Sequence, residues 1–264
     1  MSRWPLLVAT LLVAGAAACI LPYERLEGGC KGTCDDAAAP DGGSVEGDAA
    51  VDGANLSFCG LFTGVFCDDF DGKPLDQVWS MSAPAGGGTI GLDSTMPKSA
   101  PHALETIAAT TGQTAFVTKN VAGATGKVHH IGFSLLIAEQ GETAGLFSLK
   151  PSGPTKPLFR WSVGGGGPAH SYIEENNVVD SGQAPSHSDP RTPTKNVWVR
   201  VGVDVDFGNR TFVMRWDGVE IISFTFDSAF ELDTPQLLLG IGYLPPSNTS
   251  RWRVLYDDVL YRVE

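Results

Sequence analysis

The chain has 264 residues, of which 42% are hydrophobic and 18% charged, a balance typical of a globular protein that buries a core. Its 18 basic and 30 acidic residues give a net charge of −12, which repels phosphate backbones and argues against a nucleic-acid partner. The only long apolar run lies at the N-terminus, so the body of the chain is not predicted to span a membrane. Composition leaves a secreted or surface-displayed protein and indicates no activity.

Residues 1–19 have the pattern of an export signal. Arg3 precedes an apolar run too short for a stable transmembrane helix, and three alanines follow directly before Cys19. Small residues before a cysteine resemble the lipobox of bacterial lipoproteins, which implies that Cys19 becomes a lipidated N-terminus anchored in the cell envelope. By the sorting rule of some of these lipoproteins, Ile20 in the next position favours the outer membrane. The alternative is an ordinary cleaved signal peptide in which Cys19 has no role.

The next segment, residues 20–57, is predicted to be a flexible acidic tether. It is rich in Gly, Ala, Asp and Ser, so burial of apolar side chains cannot offset the entropy lost on ordering. Its eight acidic and two basic residues give a net charge of −6, which extends the segment. Residues 58–264 then form one domain, of ordinary size for an all-β sandwich.

Five cysteines are consistent with an oxidising compartment. If Cys19 carries lipid, the other four allow three disulfide pairings. Sequence proximity favours Cys30–Cys34 and Cys59–Cys67, of which the second would fix the entry loop to the first strand of the domain. A zinc site is the competing interpretation, but no histidine lies near these cysteines in the sequence.

The apolar residues of the domain recur with a period of two. Valines alternate with polar residues and Trp over 197–206, which predicts a strand with one apolar face and one polar face. Asp217 and Gly218 then predict a hairpin turn between strands at 211–216 and 219–226.

Further strands are predicted along the whole domain, whereas helical periodicity is nearly absent. They are at 64–70, 77–82, 102–109, 114–120, 127–138, 143–150, 157–163, 169–174, 235–243 and 251–262. The runs 131–137 and 237–241 are apolar on both sides, which predicts central strands covered on both faces. Many strands separated by Gly and Pro predict an all-β sandwich or barrel.

Three stretches resemble the concanavalin A-like lectins and glucanases. They are the opening FCDDFDG at 66–72 followed by Trp79, the strand and Asp-Gly hairpin at 198–219, and the closing VLYDDVLY at 254–261. The resemblance implies a jelly-roll β-sandwich of two antiparallel sheets in which the first and last strands are neighbours. It also implies a structural Ca²⁺ held by Asp257 with Asp69 or Asp71, since hard oxygen ligands suit Ca²⁺. The alternative is that these carboxylates are exposed turn and edge charges.

Catalysis receives little support from the sequence. The related laminarin- and lichenin-cleaving enzymes carry Glu-x-Asp-x-Glu along one strand, and this chain has no such run. Asp204 and Asp206 lie on one face of a strand, but Gly208 stands at the third position. A polysaccharide hydrolase or lyase using Asp204 or Glu174 therefore stays as the alternative function.

Sugar binding requires aromatic rings for stacking and polar side chains for the hydroxyl groups. The candidate ligand-binding residues, all on predicted polar faces, are Trp198, Arg200, Asp204, Tyr172, Glu174 and His130. If their three strands adjoin in the concave sheet, they form a groove. The alternative for Trp198 is a second-layer core position beneath a loop.

The expected protein is thus a lipid-anchored surface protein whose β-sandwich binds a glycan or another partner without catalysis. Its partners would be a polysaccharide and, through the anchor alone, a membrane. A structural envelope protein without a glycan ligand is a further alternative.

Overall fold

The computed structural model describes residues 58–61, 65–82, 87–110, 112–122, 124, 127–151, 159–164, 170–175, 186–226, 234–246 and 248–264. In chain order the elements are a 3₁₀ helix (Phe58–Leu61), β1 (Phe66–Asp68), α1 (Leu75–Val78), β2 (Ser80–Ser82), β3 (Thr89–Asp93), β4 (Ala103–Ala108), β5 (Ala115–Asn120), β6 (Val128–Glu139), β7 (Thr143–Pro151), β8 (Phe159–Gly164), β9 (His170–Glu175), β10 (Ser186–Asp189), β11 (Val199–Asp206), β12 (Thr211–Trp216), β13 (Val219–Thr225), β14 (Pro235–Tyr243) and β15 (Trp252–Val263). No helix in these residues is long and apolar enough to cross a membrane.

The strands form two antiparallel sheets. Sheet A has eight strands in the order β13-β12-β11-β6-β15-β4-β3, and β1 also pairs with β15. Sheet B has seven strands in the order β10-β9-β8-β7-β14-β5-β2. This arrangement confirms the predicted all-β jelly-roll sandwich.

The period-two pattern explains which side chains fill the space between the sheets. In β11 the valines from Val199 to Val205 are buried and alternate with half-exposed residues. Val197, in contrast, is 52% exposed because it precedes the strand. The prediction that 131–137 and 237–241 are central is confirmed, since β6 and β14 each pair with strands on both edges.

The first and last strands are neighbours, as predicted. Phe66 in β1 is opposite Tyr261 in β15, and Cys67 is opposite Leu260. The Cys59–Cys67 disulfide joins the 3₁₀ helix to β1 across a Cα–Cα distance of 5.6 Å, in agreement with the favoured pairing. The other predicted pair, Cys30–Cys34, and the predicted lipid site at Cys19 lie outside the described residues.

Two strands were not predicted, and some predicted strands begin a few residues too early. β3 has a glycine at its centre, and β10 contains no apolar aliphatic residue, so neither shows a strong alternation. Both become strands because a neighbour supplies the hydrogen-bonding edge, β4 for β3 and β9 for β10. Residues 77–78 belong to α1 and not to a strand.

Candidate functional site

The predicted ligand-binding residues are divided between the two sheets. Tyr172 and Glu174 are in β9 of sheet B, whereas His130, Arg200 and Asp204 are in β6 and β11 of sheet A. β6 and β11 adjoin, and His130 is directly opposite Asp204. The expected groove of three adjoining strands is therefore wrong, because β9 pairs only within sheet B.

Trp198 occupies a packed position on the outer side of sheet A. It contacts a second apolar cluster that contains Leu136 and Leu255, and Met96 from the loop after β3 covers the same cluster. Leu136 and Leu255 are almost fully buried although they face away from the main core. This packing agrees with the alternative interpretation of Trp198 as a second-layer core residue beneath a loop.

Arg200 contacts protein groups on that same outer side. Its guanidinium donates a hydrogen bond of 2.6 Å to the Asp258 carbonyl oxygen and lies 5.2 Å from the centre of the Phe58 ring. The 3₁₀ helix thus covers this part of sheet A. Two independent segments, the 3₁₀ helix and the loop after β3, therefore restrict ligand access to the outer face of sheet A.

His130 and Asp204 belong to a charged cluster. The Nδ1 atom of His130 lies 2.7 Å from Oδ1 of Asp204, and Arg215 forms an ion pair with the same carboxylate. The hydrogen bond to Asp204 raises the pKa of His130. Burial acts to raise the pKa of Asp204, but the hydrogen bonds from His130 and Arg215 outweigh burial and lower it. Asp204 and Glu174, the two residues named for the alternative hydrolase or lyase, lie on different sheets.

Asp257, the main residue predicted to bind Ca²⁺, is fully buried and holds a loop. Its carboxylate accepts backbone N–H groups from Lys98 and Ser99 at 2.9 Å, the Ser99 hydroxyl at 3.2 Å and the Asp258 N–H at 2.8 Å. The Ser99 hydroxyl has a single proton and lies closer to Asp258 Oδ1, at 2.9 Å, so the three backbone N–H groups are the main donors to the Asp257 carboxylate. Burial, together with the charge of Asp258, raises the pKa of Asp257 to about 7. Asp257 thus has a structural role in holding the loop, and the Ca²⁺ site stays a prediction.

The other two residues predicted for Ca²⁺ also bind the backbone. Asp69 accepts the Cys59 N–H at 3.4 Å, and Asp71 accepts the His102 N–H at 2.8 Å. Among the residues that the structure describes, no three His, Cys, Asp or Glu side chains are arranged to hold a metal ion.

The outer face of sheet B has a different character. We call the set of Arg160, His170, Tyr172, Glu174 and Tyr243 the sheet B site. These residues point outward because the alternating residues of β8 and β9 fill the core, and all five are at least partly exposed.

The alternating core residues are bulky and fully buried, and they fix the orientation of both strands. They are Phe159, Trp161 and Val163 in β8, and Ile173 in β9. A one-residue register slip would bury Arg160 and expose Trp161, so the hydrophobic pattern specifies the position of the site residues.

The sheet B site contains two ring contacts and one ion pair. The Arg160 guanidinium lies over the Tyr243 ring, 4.4 Å from its centre, and pairs with the Glu174 carboxylate. The His170 and Tyr172 rings are stacked, with centroids 5.5 Å apart and an interplanar angle of 26°. The site therefore offers aromatic faces, a cation and a carboxylate on one surface.

Two glycines allow these side chains to lie close to the sheet. A Cβ atom on Gly164 would stand 2.8 Å from the His170 ring. A Cβ atom on Gly145 would stand 3.1 Å from Tyr243 Cβ and 3.2 Å from Arg160 Cδ. Because neither position has a side chain, the rings and the guanidinium can pack directly against the backbone of the sheet.

Tyr172 retains its proton over a wide pH range. Burial raises the pKa of its hydroxyl group, and the negative charge of Glu174 adds to that increase. The hydroxyl group thus stays in its neutral, protonated form on the face of the sheet.

Sequence reasoning selected Tyr172 and Glu174 but not Arg160 or Tyr243. Arg160 was detectable, because it alternates with buried aromatic residues in β8. Tyr243 was not, because its register with β7 shifts between Leu239 and Tyr243. Such an irregularity changes the face on which a residue lies, and periodicity does not reveal it.

No family model and no curated protein matches the chain. Among solved structures it is similar to an endo-β-1,4-glucuronan lyase from the fungus Trichoderma reesei, at 16% identity and a TM-score of 0.57 over 76% of this chain and 96% of that one. It is also similar to the cellulose-induced protein Cip1, at 12% identity and a TM-score of 0.53 over 75% of this chain and 97% of that one.

A third similar structure is a carbohydrate esterase from the Shiga toxin-encoding bacteriophage phi24B. It is 16% identical, with a TM-score of 0.50 over 76% of this chain and 99% of that one. At these identities the similarities establish the fold alone. The chain has the jelly-roll β-sandwich fold of the concanavalin A-like lectins and glucanases.

Proposed function

We propose that the sheet B site binds an acidic polysaccharide. The observation that carries the proposal is the Arg160 guanidinium, which lies over the Tyr243 ring on an outward sheet face. A sugar ring stacks its C–H face on aromatic rings, and a guanidinium pairs with carboxylates through two parallel hydrogen bonds. Rings and a cation on one surface therefore suit a sugar polymer that carries carboxylate groups.

The surroundings of the site support a negatively charged ligand. Lys150 lies two positions from Ser148 in β7, and Ser148 is opposite Arg160, so Lys150 adds a second cation along this part of sheet B. One protein of similar fold is an endo-β-1,4-glucuronan lyase, so this fold accommodates a glucuronan in at least one case.

Binding without turnover is the main proposal, and a lyase is the second candidate. Elimination next to a sugar carboxylate needs a group that neutralises the carboxylate, a base that removes the adjacent proton and a donor to the leaving oxygen. Arg160, His170 and Tyr172 supply these three types of group on one face. The stacked His170 and Tyr172 rings are the specific observation that favours this candidate.

Binding to soluble glucuronan tests the main proposal. We expect Tyr243→Ala to weaken binding by about tenfold, because it removes the ring that supports the Arg160 guanidinium. Arg251→Ala is the control, since Arg251 is half-exposed and pairs with Glu139 on the other sheet. Equal binding by both variants and the unchanged protein, or binding by none of them, would contradict the proposal and favour a structural role.

Ultraviolet absorbance of the unsaturated sugar ends made by elimination separates the two candidates. Release of such ends that is lost in Tyr172→Phe, while glucuronan binding persists, identifies a lyase. Binding with no release of unsaturated ends identifies a binding module.

We further propose that lipid on Cys19 holds this domain at the cell surface. Metabolic labelling with a fatty-acid analogue tests this proposal. We expect Cys19→Ser to abolish the label and release the protein from the membrane fraction. Unchanged labelling in Cys19→Ser would show that Cys19 is not the anchor.

A further inference from the structure

We propose that Glu174 is a built-in competitor, whose carboxylate occupies the position on Arg160 that a ligand carboxylate takes. The inference rests on the proposed function and adds how the same site is regulated. Glu174 would then weaken the binding of single acidic sugars most, so that acidic polymers with many carboxylates are favoured over them.

The geometry places Glu174 where a ligand anion is expected. Glu174 in β9 is directly opposite Arg160 in β8, and its carboxylate pairs with the guanidinium Nε. Both side chains are about one-quarter exposed, at 23% for Arg160 and 24% for Glu174, so solvent and ligand reach the pair from outside.

Arg160 is held in place by contacts that do not involve Glu174. The stem of Arg160 runs over Gly145, and its guanidinium rests on the Tyr243 ring at 4.4 Å. These contacts keep the cation fixed when Glu174 leaves. The guanidinium binds carboxylates through its planar fork, and an incoming ligand carboxylate makes the same type of bond.

The free energy gained when a ligand carboxylate replaces Glu174 on Arg160 is reduced by the loss of the Glu174 ion pair. A tethered carboxylate competes at a high effective concentration, so an incoming carboxylate gains only the difference between two similar ion pairs. Removal of the Glu174 charge leaves the cation unpaired on a partly buried surface, where an anion is bound more strongly. The affinity for acidic glycans therefore rises when Glu174 is neutralised, whereas stacking of neutral sugars does not depend on it.

Sheet A contains a matched pair for comparison. Arg253 in β15 is opposite Ile107 in β4, and its Nε donates to Glu105 at 2.5 Å. Asp93 lies 3.8 Å from the same guanidinium. Glu105→Gln is therefore a control that removes one carboxylate from a cross-strand arginine outside the sheet B site.

Calorimetric titration of the full domain tests the proposal, with glucuronan oligosaccharides as the acidic probe and cello-oligosaccharides as the neutral probe. We expect Glu174→Gln to bind the acidic probe about tenfold more tightly than the unchanged protein, and the neutral probe equally. Glu105→Gln is expected to match the unchanged protein with both probes. Glu174→Ala carries the same expectation as Glu174→Gln and replaces it if melting shows that the glutamine variant does not fold.

Three results would overturn the inference. Weaker or unchanged binding of the acidic probe by the Glu174 variants, with binding by the unchanged protein intact, rejects the competitor and leaves the proposed function standing. If Glu105→Gln strengthens binding of the acidic probe as much as the Glu174 variants do, the change reflects the net charge of the protein and not competition at Arg160. Binding of the acidic probe by neither the unchanged protein nor the Glu174 variants removes the proposed function and this inference together.

Discussion

The Arg160 guanidinium lies 4.4 Å from the centre of the Tyr243 ring, although β8 and β14 are separated by β7 in sheet B. The contact crosses β7 at Gly145, where the chain has no side chain to block it. One glycine thus joins a cation and an aromatic ring that are 83 positions apart in the sequence, from residue 160 to residue 243.

Gly145→Val is expected to weaken glucuronan binding by about tenfold, because the added side chain displaces Arg160 and Tyr243 from each other. The Cβ atom alone would stand 3.1 Å from Tyr243 Cβ. Titration with glucuronan measures the effect. Gly202→Ala on sheet A is the control, since a Cβ atom there meets nothing within 4 Å. Undiminished binding by Gly145→Val would show that the Arg160–Tyr243 contact is not needed.

Trp198→Ala is expected to lower the free energy of unfolding by about 2 kcal/mol, because it opens the cluster around Leu136 and Leu255. Glucuronan binding is expected to stay unchanged, since Trp198 is not part of sheet B. Chemical denaturation and titration measure the two quantities. A loss of binding with little loss of stability would restore Trp198 as a ligand-binding residue.

The His130–Asp204 pair is expected to make stability depend on pH in both directions. The raised pKa of His130 gives a stabilising contribution that is complete below the unfolded value and is lost as pH rises through the folded value. The lowered pKa of Asp204 gives a contribution that is present above the unfolded value and is lost as pH falls through the folded value. The His130–Asp204 pair therefore contributes most to the free energy of unfolding at roughly pH 4 to 6.5.

Replacement of His130 measures that contribution. We expect His130→Gln to lower the free energy of unfolding by about 1 kcal/mol at pH 5 and by less at pH 8. His170→Gln, which changes an exposed histidine of sheet B, is the control. A stability loss of equal size at both pH values would contradict the ionic origin.

Chelators are expected to leave the melting temperature of the domain unchanged. The Asp257 carboxylate already accepts the backbone N–H groups of Lys98, Ser99 and Asp258, which hold the carboxylate and the loop in place without a cation. Thermal melting with EDTA, and with Ca²⁺ added back, measures this directly. A chelator-induced decrease that Ca²⁺ reverses would restore the Ca²⁺ site predicted from the sequence.

Asp257→Asn is expected to be strongly destabilising, by about 2 kcal/mol or more. In either orientation the amide nitrogen faces a backbone N–H group that it cannot accept, from Lys98 and Ser99 or from Asp258. Chemical denaturation measures the loss. Asp206→Asn is the control, since Asp206 binds the exposed Asn209 in a surface turn. Similar decreases in the free energy of unfolding for both variants would show that the buried position of Asp257 adds nothing to the effect of the substitution.

Much of the fold was accessible from the sequence. The period of two identified most of the strands and the inward side of each, and the apolar runs identified β6 and β14 as central. The resemblance of the two ends of the domain to lectin-type folds predicted that β1 and β15 adjoin, as they do. β3 and β10 were missed, because their strand conformation depends on a paired neighbour more than on their own residues.

The location of the site was decided by tertiary structure. Alternation shows which residues of a strand share a face, but it carries no information on which strand pairs with which, because every strand offers the same backbone hydrogen-bonding groups. Tyr172 and Asp204 thus appeared equally suited to one groove, and strand pairing placed them on opposite sheets. The sequence alone determined the strands and their buried faces, whereas sheet order and the shifted register of Tyr243 brought Arg160, Glu174 and the aromatic rings together.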